Sequence, residues 1–278
     1  MLRRFLLVLT IVLLPVAAAA CNGDGDGGDD DTSPTAETTA RSSTPAASPS
    51  RSATTAATAG SGATPAVEGV VDRADGDPWT EAHATALLDA ALLEPADLPL
   101  GPWLLQTDTR SNNADAAQAN PESAASNERC GRLLARTTVN QVEDAITAFI
   151  AGETLSFFST ATVYETEAGA DDCSAESATR LAEPGALARA FGPLFIDPDA
   201  VQIALADFPP VIEGQFAATL TGQIDAAGTV IDLTLLIVAF QSENVTATVG
   251  SARSGSTPPA DELQEFVELV LARIQANQ

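Results

Sequence analysis

Cysteine and histidine have the most versatile side-chain chemistry in this chain, and both are scarce. The 278-residue sequence contains three cysteines, Cys21, Cys130 and Cys173, and one histidine, His83. No two cysteines form a C-x-x-C pair, and the histidine lies far from all of them in sequence. A disulfide between Cys130 and Cys173 would close a loop of about 43 residues. The alternative, a reactive thiol or a metal ligand, stays open at this point but lacks the neighbouring ligands that such sites use.

The first twenty residues have the pattern of a cleaved export signal. Two arginines precede an apolar run, Phe5 to Val16, and four alanines then lead directly to Cys21. Twelve residues are fewer than the roughly 20 that a helix needs to cross a bilayer. A basic start, a short apolar core and a small-residue exit are typical of secretory signals. We therefore predict that residues 1–20 are a signal peptide and that the mature protein is extracytoplasmic.

Two cleavage reactions fit the end of this signal. The segment Ala18 to Cys21 resembles the lipobox of bacterial lipoproteins, although the lipobox usually has leucine where Ala18 stands. The pair Ala18 and Ala20 also fits ordinary signal peptidase, which would release a secreted protein. Because one of only three cysteines falls at the cleavage point, we predict that Cys21 carries the lipid and anchors the protein to the cell membrane. Cys130 and Cys173 then remain as an even pair in an oxidising compartment, which favours a disulfide.

Residues 21–76 have the composition of a flexible tether. They begin with the acidic, glycine-rich run NGDGDGGDDD and continue as a mixture of Ser, Thr, Ala and Pro. No apolar periodicity is present, so this stretch cannot bury enough surface to offset the entropy of ordering. A random coil of this length has an end-to-end distance of roughly 40 Å. Its Ser/Thr/Pro content is also typical of O-glycosylated stalks.

The charge of the chain restricts its partners. There are 38 acidic residues against 13 basic ones, which are all arginines, and the formal net charge is −25. A chain this acidic, with no basic patch, is not expected to bind nucleic acid or anionic lipid surfaces. The absence of lysine also excludes mechanisms that use a lysine amine, such as Schiff-base chemistry.

Sequence signatures of common enzymes are missing. There is no Walker loop, HExxH or Rossmann fingerprint, and GSARSG has Ala252 where the serine of GxSxG would stand. Paired carboxylates of the kind used by glycosidases stay possible, but 38 acids make chance pairs inevitable. We therefore expect a non-catalytic domain with neither a cofactor nor a bound metal.

The helices and strands that would position a functional site can be predicted from residues 77–278. They indicate one α+β domain, an antiparallel β-sheet with helices packed on one face. Segments 215–224, 229–241 and 245–249 predict a three-stranded antiparallel meander, because they carry alternating or continuous apolar residues between short polar turns. Thr257 and Pro258 open a final helix with an apolar stripe. Further strands are predicted from Trp103 and over 154–165, and a first helix is predicted from Asp77, with Pro78 in its first turn.

Three segments are less determined. A short helix is predicted to carry Cys130, Leu133 and Leu134, and Cys173 is placed at the head of a helix that reaches about Leu181. Residues 144–150 fit both a helix and a strand face, and we favour a hairpin with the strand at 154–165. That choice decides whether the segment adds to the sheet or covers it.

Several of these features together resemble a known group of exported proteins. The resemblance rests on the lipoprotein signal, the tether, LLEPADLPLGPW (residues 92–103), TATVYET (160–166) and the cysteine pair. Actinobacterial lipoproteins similar to the extracellular sensor domain of PknH-type receptor kinases share this arrangement over about residues 80–276. The resemblance implies a sensor-like α+β domain. Those sensor domains have two disulfides and a cleft, whereas this chain can form one bridge, so no cleft residue is carried over.

Two classes of function follow. The first is a sensor-like or ligand-binding domain, held at the membrane through Cys21, that takes an unknown small apolar ligand. The alternative is an interaction or structural module that contacts another envelope protein, and a hydrolase is a third, less favoured possibility.

Overall fold

The structure, a computed structural model, describes residues 78–99, 101–114, 121–181, 195–197, 200–226 and 229–278. The predicted signal peptide, Cys21 and the tether lie outside the described residues. The elements are, in chain order, α1 (Glu81–Ala91), a 3₁₀ turn (Pro95–Asp97), β1 (Trp103–Ser111), α2 (Pro121–Arg129), β2 (Arg132–Val142), α3 (Ala145–Ala151), β3 (Thr154–Tyr164), α4 (Glu167–Leu181), β4 (Gln202–Leu205), β5 (Phe216–Ala226), β6 (Thr229–Ser242), β7 (Val245–Ser254) and α5 (Ala260–Ala276). Among these residues, no helix has the length and apolarity needed to cross a bilayer.

The strands form one antiparallel sheet in the order β1-β2-β3-β7-β6-β5-β4. Strands β1 to β3 are consecutive neighbours, and so are β4 to β7, and the pairing of β3 with β7 joins these two groups. The α+β fold and the C-terminal meander predicted from the sequence are confirmed.

Helices α1 and α5 pack together on the first face of this sheet. α5 has a buried stripe that agrees residue by residue with the apolar periodicity of its sequence. A chain of aromatic rings links the sheet to this helix, since the ring centroids of Trp103 and Phe157 are 5.3 Å apart and those of Phe157 and Phe266 are 4.7 Å apart. The buried stripe consists of Leu263, Phe266, Val267, Val270, Leu271 and Ile274.

The second face carries its own apolar cluster, to which Ala148 of α3 and Phe195 contribute. Two aromatic rings lie directly on glycines of the sheet. A Cβ atom at Gly250 would be 2.2 Å from the ring of Phe158, and one at Gly222 would be 2.4 Å from Phe195. Any side chain at either position would therefore displace the ring that covers it.

Helix α1 begins later than the sequence predicts. Thr80 is its N-cap and accepts a hydrogen bond from the backbone N–H of His83, so the prediction that Pro78 lies in the first turn is wrong, and Asp77 lies outside the described residues. A threonine with an extended backbone offers its hydroxyl as a cap, which decides the start of the helix.

Two predictions about the middle of the chain are also wrong. Leu133 and Leu134 lie on strand β2 rather than on a helix, because α2 ends at Arg129. Residues 145–151 form helix α3 rather than a strand of a hairpin. Asp144 caps α3, accepting 3.1 Å from the backbone N–H of Thr147, and Gly152 ends it in the left-handed conformation with φ 66°. Both are ordinary helix-boundary residues.

The disulfide between Cys130 and Cys173 is present, with the two Cα atoms 5.8 Å apart. It joins the residue that directly follows α2 to the middle of α4, which begins at Glu167 and not at the cysteine. The two backbones approach so closely that a Cβ on Gly169 would be 2.2 Å from the carbonyl oxygen of Cys130. Glu176 strengthens the junction by accepting a hydrogen bond of 2.9 Å from Ser126.

Replacing both Cys130 and Cys173 with alanine should lower the free energy of unfolding by roughly 4 kcal/mol, because the unfolded chain loses the constraint of a 43-residue loop. Urea unfolding measures this change. In the exported wild-type protein, an alkylating reagent added without reductant should modify neither Cys130 nor Cys173. An unchanged unfolding midpoint would show that the bridge does not constrain the unfolded chain.

Candidate binding cleft

An open cleft of about 480 Å³ lies on the first face, between the 3₁₀ turn and the start of α5. It combines four carboxylates with an apolar floor. The eight lining residues are Asp97, Leu98, Pro99, Pro259, Asp261, Glu262, Glu265 and Phe266. Small-molecule sites are mostly lined by apolar side chains, whereas half of the residues that line this cleft are acidic, so its charge is the feature that distinguishes it.

Helix α5 supplies three of the four carboxylates from its first two turns. Asp261 and Glu262 lie in the first turn, where the positive end of the helix dipole stabilises acidic side chains. Glu265 lies one turn after Asp261 and therefore on the same side of the helix. Phe266 forms the floor and contacts Phe157 of β3, so the sheet fixes this wall of the cleft.

The negative charge of the fourth carboxylate, Asp97, is already balanced by a bonded arginine. Arg273 donates two hydrogen bonds to it, of 2.6 and 2.8 Å, and the backbone N–H of Glu94 donates a third of 2.9 Å. Burial alone would raise the pKa of Asp97, but the hydrogen bonds and charge of Arg273 together hold that pKa below its ordinary value. Asp97 therefore stays ionised and paired.

Glu262 is in the opposite electrostatic state. Burial raises the pKa of its carboxyl group, and the neighbouring charges of Asp261 and Glu265 add to this effect. The hydrogen bond from the Thr154 hydroxyl, at 3.3 Å, and the positive charge of Arg253 offset the rise only partly. Asp261, Glu262 and Glu265 form no ion pair among the described residues. The exposed carboxylates of Asp261 and Glu265 are therefore the ones that can meet a cationic ligand.

The turn that carries Asp97 is attached to the sheet through the backbone of Leu93. The N–H of Leu93 donates to the Ser159 hydroxyl at 2.9 Å. Its carbonyl oxygen accepts from the Thr138 hydroxyl at 3.0 Å and from the side-chain amide of Asn140 at 3.1 Å. Strands β2 and β3 thus fix the chain four residues before Asp97.

A second attachment is the guanidinium group of Arg136, which is only 5% exposed. It donates two hydrogen bonds to Asp108, of 2.8 and 3.0 Å, one to Glu94 at 3.2 Å and one to the carbonyl oxygen of Leu88 at 3.1 Å. The hydrogen bond from Arg136 is the main reason that the pKa of Asp108 is lowered. Arg136 therefore connects β1, β2, α1 and the start of the turn.

A different polar cluster lies on the second face of the sheet. The hydroxyl oxygens of Thr107 and Ser156 and both polar atoms of the Gln141 amide are buried and have no hydrogen-bond partner among the described residues. These side chains are 6%, 0% and 1% exposed. Each buried polar group left without a partner costs about 1–3 kcal/mol.

The residues singled out in the sequence do not build the cleft. Cys130 and Cys173 are bonded to each other, and neither lines the cleft. His83 lies on α1, where its ring nitrogen is 3.1 Å from the Thr80 hydroxyl. The carboxylates of the cleft were missed, although Asp261, Glu262 and Glu265 at a predicted helix start were a usable signal.

Comparison with known proteins finds no matching family model and no match among curated proteins. Among solved structures, the chain is similar to the extracellular domain of PknH from Mycobacterium tuberculosis. The TM-score is 0.44 and the identity is 10%, over 72% of this chain and 98% of that chain. This similarity is in line with the resemblance expected from the sequence motifs.

Glu262→Gln should stabilise the protein at pH 7.5 and have little effect near pH 3.5. The raised pKa means that the folded state favours the protonated carboxyl group. The contribution of Glu262 to the free energy of unfolding is therefore fully present below pH 4.5, its ordinary pKa, and is lost as the pH rises through the folded-state pKa. Glutamine keeps the neutral state at every pH. Thermal unfolding at both pH values measures this.

The control for that experiment is Glu268→Gln, which removes an exposed carboxylate from the same helix and should change the melting temperature little. A Glu262→Gln variant no more stable than wild type at pH 7.5 would contradict the assignment.

Proposed function

We propose that this chain is an exported lipoprotein, anchored in the cell membrane through lipid on Cys21, whose domain binds a ligand without transforming it. The acidic cleft receives the ligand. The sequence favours a small apolar molecule, and the carboxylates add a requirement for positive charge. The proposed ligand is therefore an amine or other cation carried on an apolar body.

The observation that carries this proposal is the imbalance of charge in the cleft. Four carboxylates line it. Arg273 is bonded to Asp97 and the charge of Arg253 acts on Glu262, so Asp261 and Glu265 are the two exposed carboxylates that have no ion pair in the described part of the chain. Like charges held together at a helix start raise one another's energy, and a bound cation relieves that repulsion. The apolar floor of Leu98, Pro99 and Phe266 would contribute hydrophobic contact at the same time.

The alternative is an interaction module that binds a basic segment of another envelope protein. It would use the same carboxylates, because Asp261 and Glu265 are exposed on the open side of the cleft. Recovery of one envelope protein on the domain from solubilised membranes, together with no binding of small cations, would favour this alternative.

Cys21→Ser should move the protein from the membrane fraction to the medium. The thiol is the attachment point for the lipid, and one lost anchor releases a protein whose remaining surface is acidic and repelled by anionic lipid. Cell fractionation followed by immunoblotting measures the partition. An unchanged distribution between membrane and medium would contradict lipid anchoring through Cys21. It would not contradict export, because ordinary signal peptidase could still cleave the signal.

The cleft is tested with the full exported chain carrying Cys21→Ser, so that no detergent is needed. Benzylamine, which is cationic at pH 7, should bind, and its neutral analogue benzyl alcohol should not. The double variant Asp261→Asn/Glu265→Gln should weaken benzylamine binding by roughly tenfold, since each nearby charge contributes about 0.7 kcal/mol. Calorimetric titration at low and high salt measures both affinities.

The matched control is Asp207→Asn/Glu268→Gln, which removes the same two charges from exposed positions outside the cleft. It should bind benzylamine like wild type. Equal weakening in both double variants would mean that overall charge, and not the cleft, attracts the cation.

A further inference from the structure

The unpartnered side chains of Thr107, Gln141 and Ser156 lie together on the second face of the sheet. Gln141 and Ser156 are direct cross-strand partners on β2 and β3. Thr107 of β1 is opposite Val139, two residues before Gln141 and therefore on the same face. The register shift between Leu105 and Thr107 is a β-bulge, a feature that often redirects side chains next to a site.

Packing does not explain these polar groups. Their neighbours on the same face include Val139, Leu155 and Phe158, which belong to the second apolar cluster. On the first face, the hydroxyls of Thr138 and Ser159 are equally buried, but they hold the backbone of Leu93. Gln141 and Ser156 hold nothing in the described part of the chain, although an apolar residue would fill the same volume without loss.

We propose that this face holds a binding site for the carboxamide group of a small apolar molecule. A side-chain amide offers one acceptor and two donors, so a second amide satisfies it with two hydrogen bonds in opposite directions. The hydroxyls of Ser156 and Thr107 are then free to pair with the outer donor and acceptor of the ligand. The apolar body of the ligand packs among the surrounding valine, leucine and phenylalanine side chains.

The charge of the protein selects an amide over a carboxylate. The arginine contacts that the structure shows go to other groups. The guanidinium groups of Arg110, Arg129, Arg136 and Arg273 pair with carboxylates, Arg132 donates to Ser111, and Arg253 donates to the carbonyl oxygen of Gly152. An anionic head group would enter an apolar environment with no counter-ion, inside a chain of net charge −25. A neutral amide meets neither obstacle.

Helix α3 controls access to the site. It spans the connection from β2 to β3 and is only seven residues long. Among its described side chains, Ala145 and Ala148 are buried and Phe149 packs partly buried against the second apolar cluster, so moving the helix away from the sheet breaks the contacts of one ring and two methyl groups. Gly152, at φ 66°, ends the helix at a residue that tolerates large backbone changes. The site is closed in this structure and opens when α3 moves away from β2 and β3.

The test uses the full exported chain with Cys21→Ser, labelled with ¹⁵N, and octanamide as the probe. Octanamide should shift the side-chain amide resonance of Gln141, which is identified by its loss in Gln141→Leu, and should raise the melting temperature. Gln141→Leu and Ser156→Ala should each weaken octanamide binding at least tenfold. Ser251→Ala is the matched control, because Ser251 is equally buried but lies on the opposite face, and it should bind like wild type.

Octanoic acid at pH 7 should bind at least tenfold more weakly than octanamide, and equal binding would overturn the choice of head group. An unshifted Gln141 resonance at saturating octanamide, or unchanged affinity in Gln141→Leu, would overturn the site itself. More stable Gln141→Leu and Ser156→Ala variants, with no octanamide bound by wild type, would also overturn the proposal, because the buried polar groups would then lower stability without binding a ligand. The site is on the opposite face from the acidic cleft, so benzylamine binding and octanamide binding succeed or fail independently.

Discussion

The peptide group of Leu93 is buried, so its N–H and carbonyl oxygen need hydrogen-bond partners inside the protein. The sheet supplies those partners from side chains, through Ser159, Thr138 and Asn140. This requirement places polar residues at buried positions of β2 and β3 that would otherwise be occupied by apolar side chains. It also sets the height of the 3₁₀ turn above the sheet, and through Asp97 and Arg273 it sets the position of α5.

The same constraint explains which elements could be predicted. β5, β6, β7 and α5 pack through apolar side chains, so alternation and helical periodicity identified them. β2 was missed because Arg136, Thr138, Asn140 and Gln141 are all buried in it, and no apolar alternation survives. Their partners are distant in sequence, and only the folded chain shows that these polar groups face inward.

The candidate cleft depended on tertiary structure even more strongly. Its walls come from residues 97–99 and 259–266, which are about 160 positions apart. The acidic residues at the start of α5 are visible in the sequence, but in a chain with 38 acidic residues nothing local shows that residues 97–99 face them. The cysteine pair was easier to predict, because the number of cysteines and the expected compartment left few alternatives.

The pairing of β3 with β7 has a consequence for how the domain folds. Each half of the sheet can assemble from strands that are close in sequence, but Phe157 must find Ser251, which is more than 90 positions further along the chain. Such long-range closure is the slow step in β-rich domains, and until it occurs an edge of each half stays open to other chains. Both cysteines of the Cys130–Cys173 bridge precede β7 in the sequence. A chain delivered N-terminus first can therefore oxidise and complete β1 to β3 before its partner strand β7 arrives.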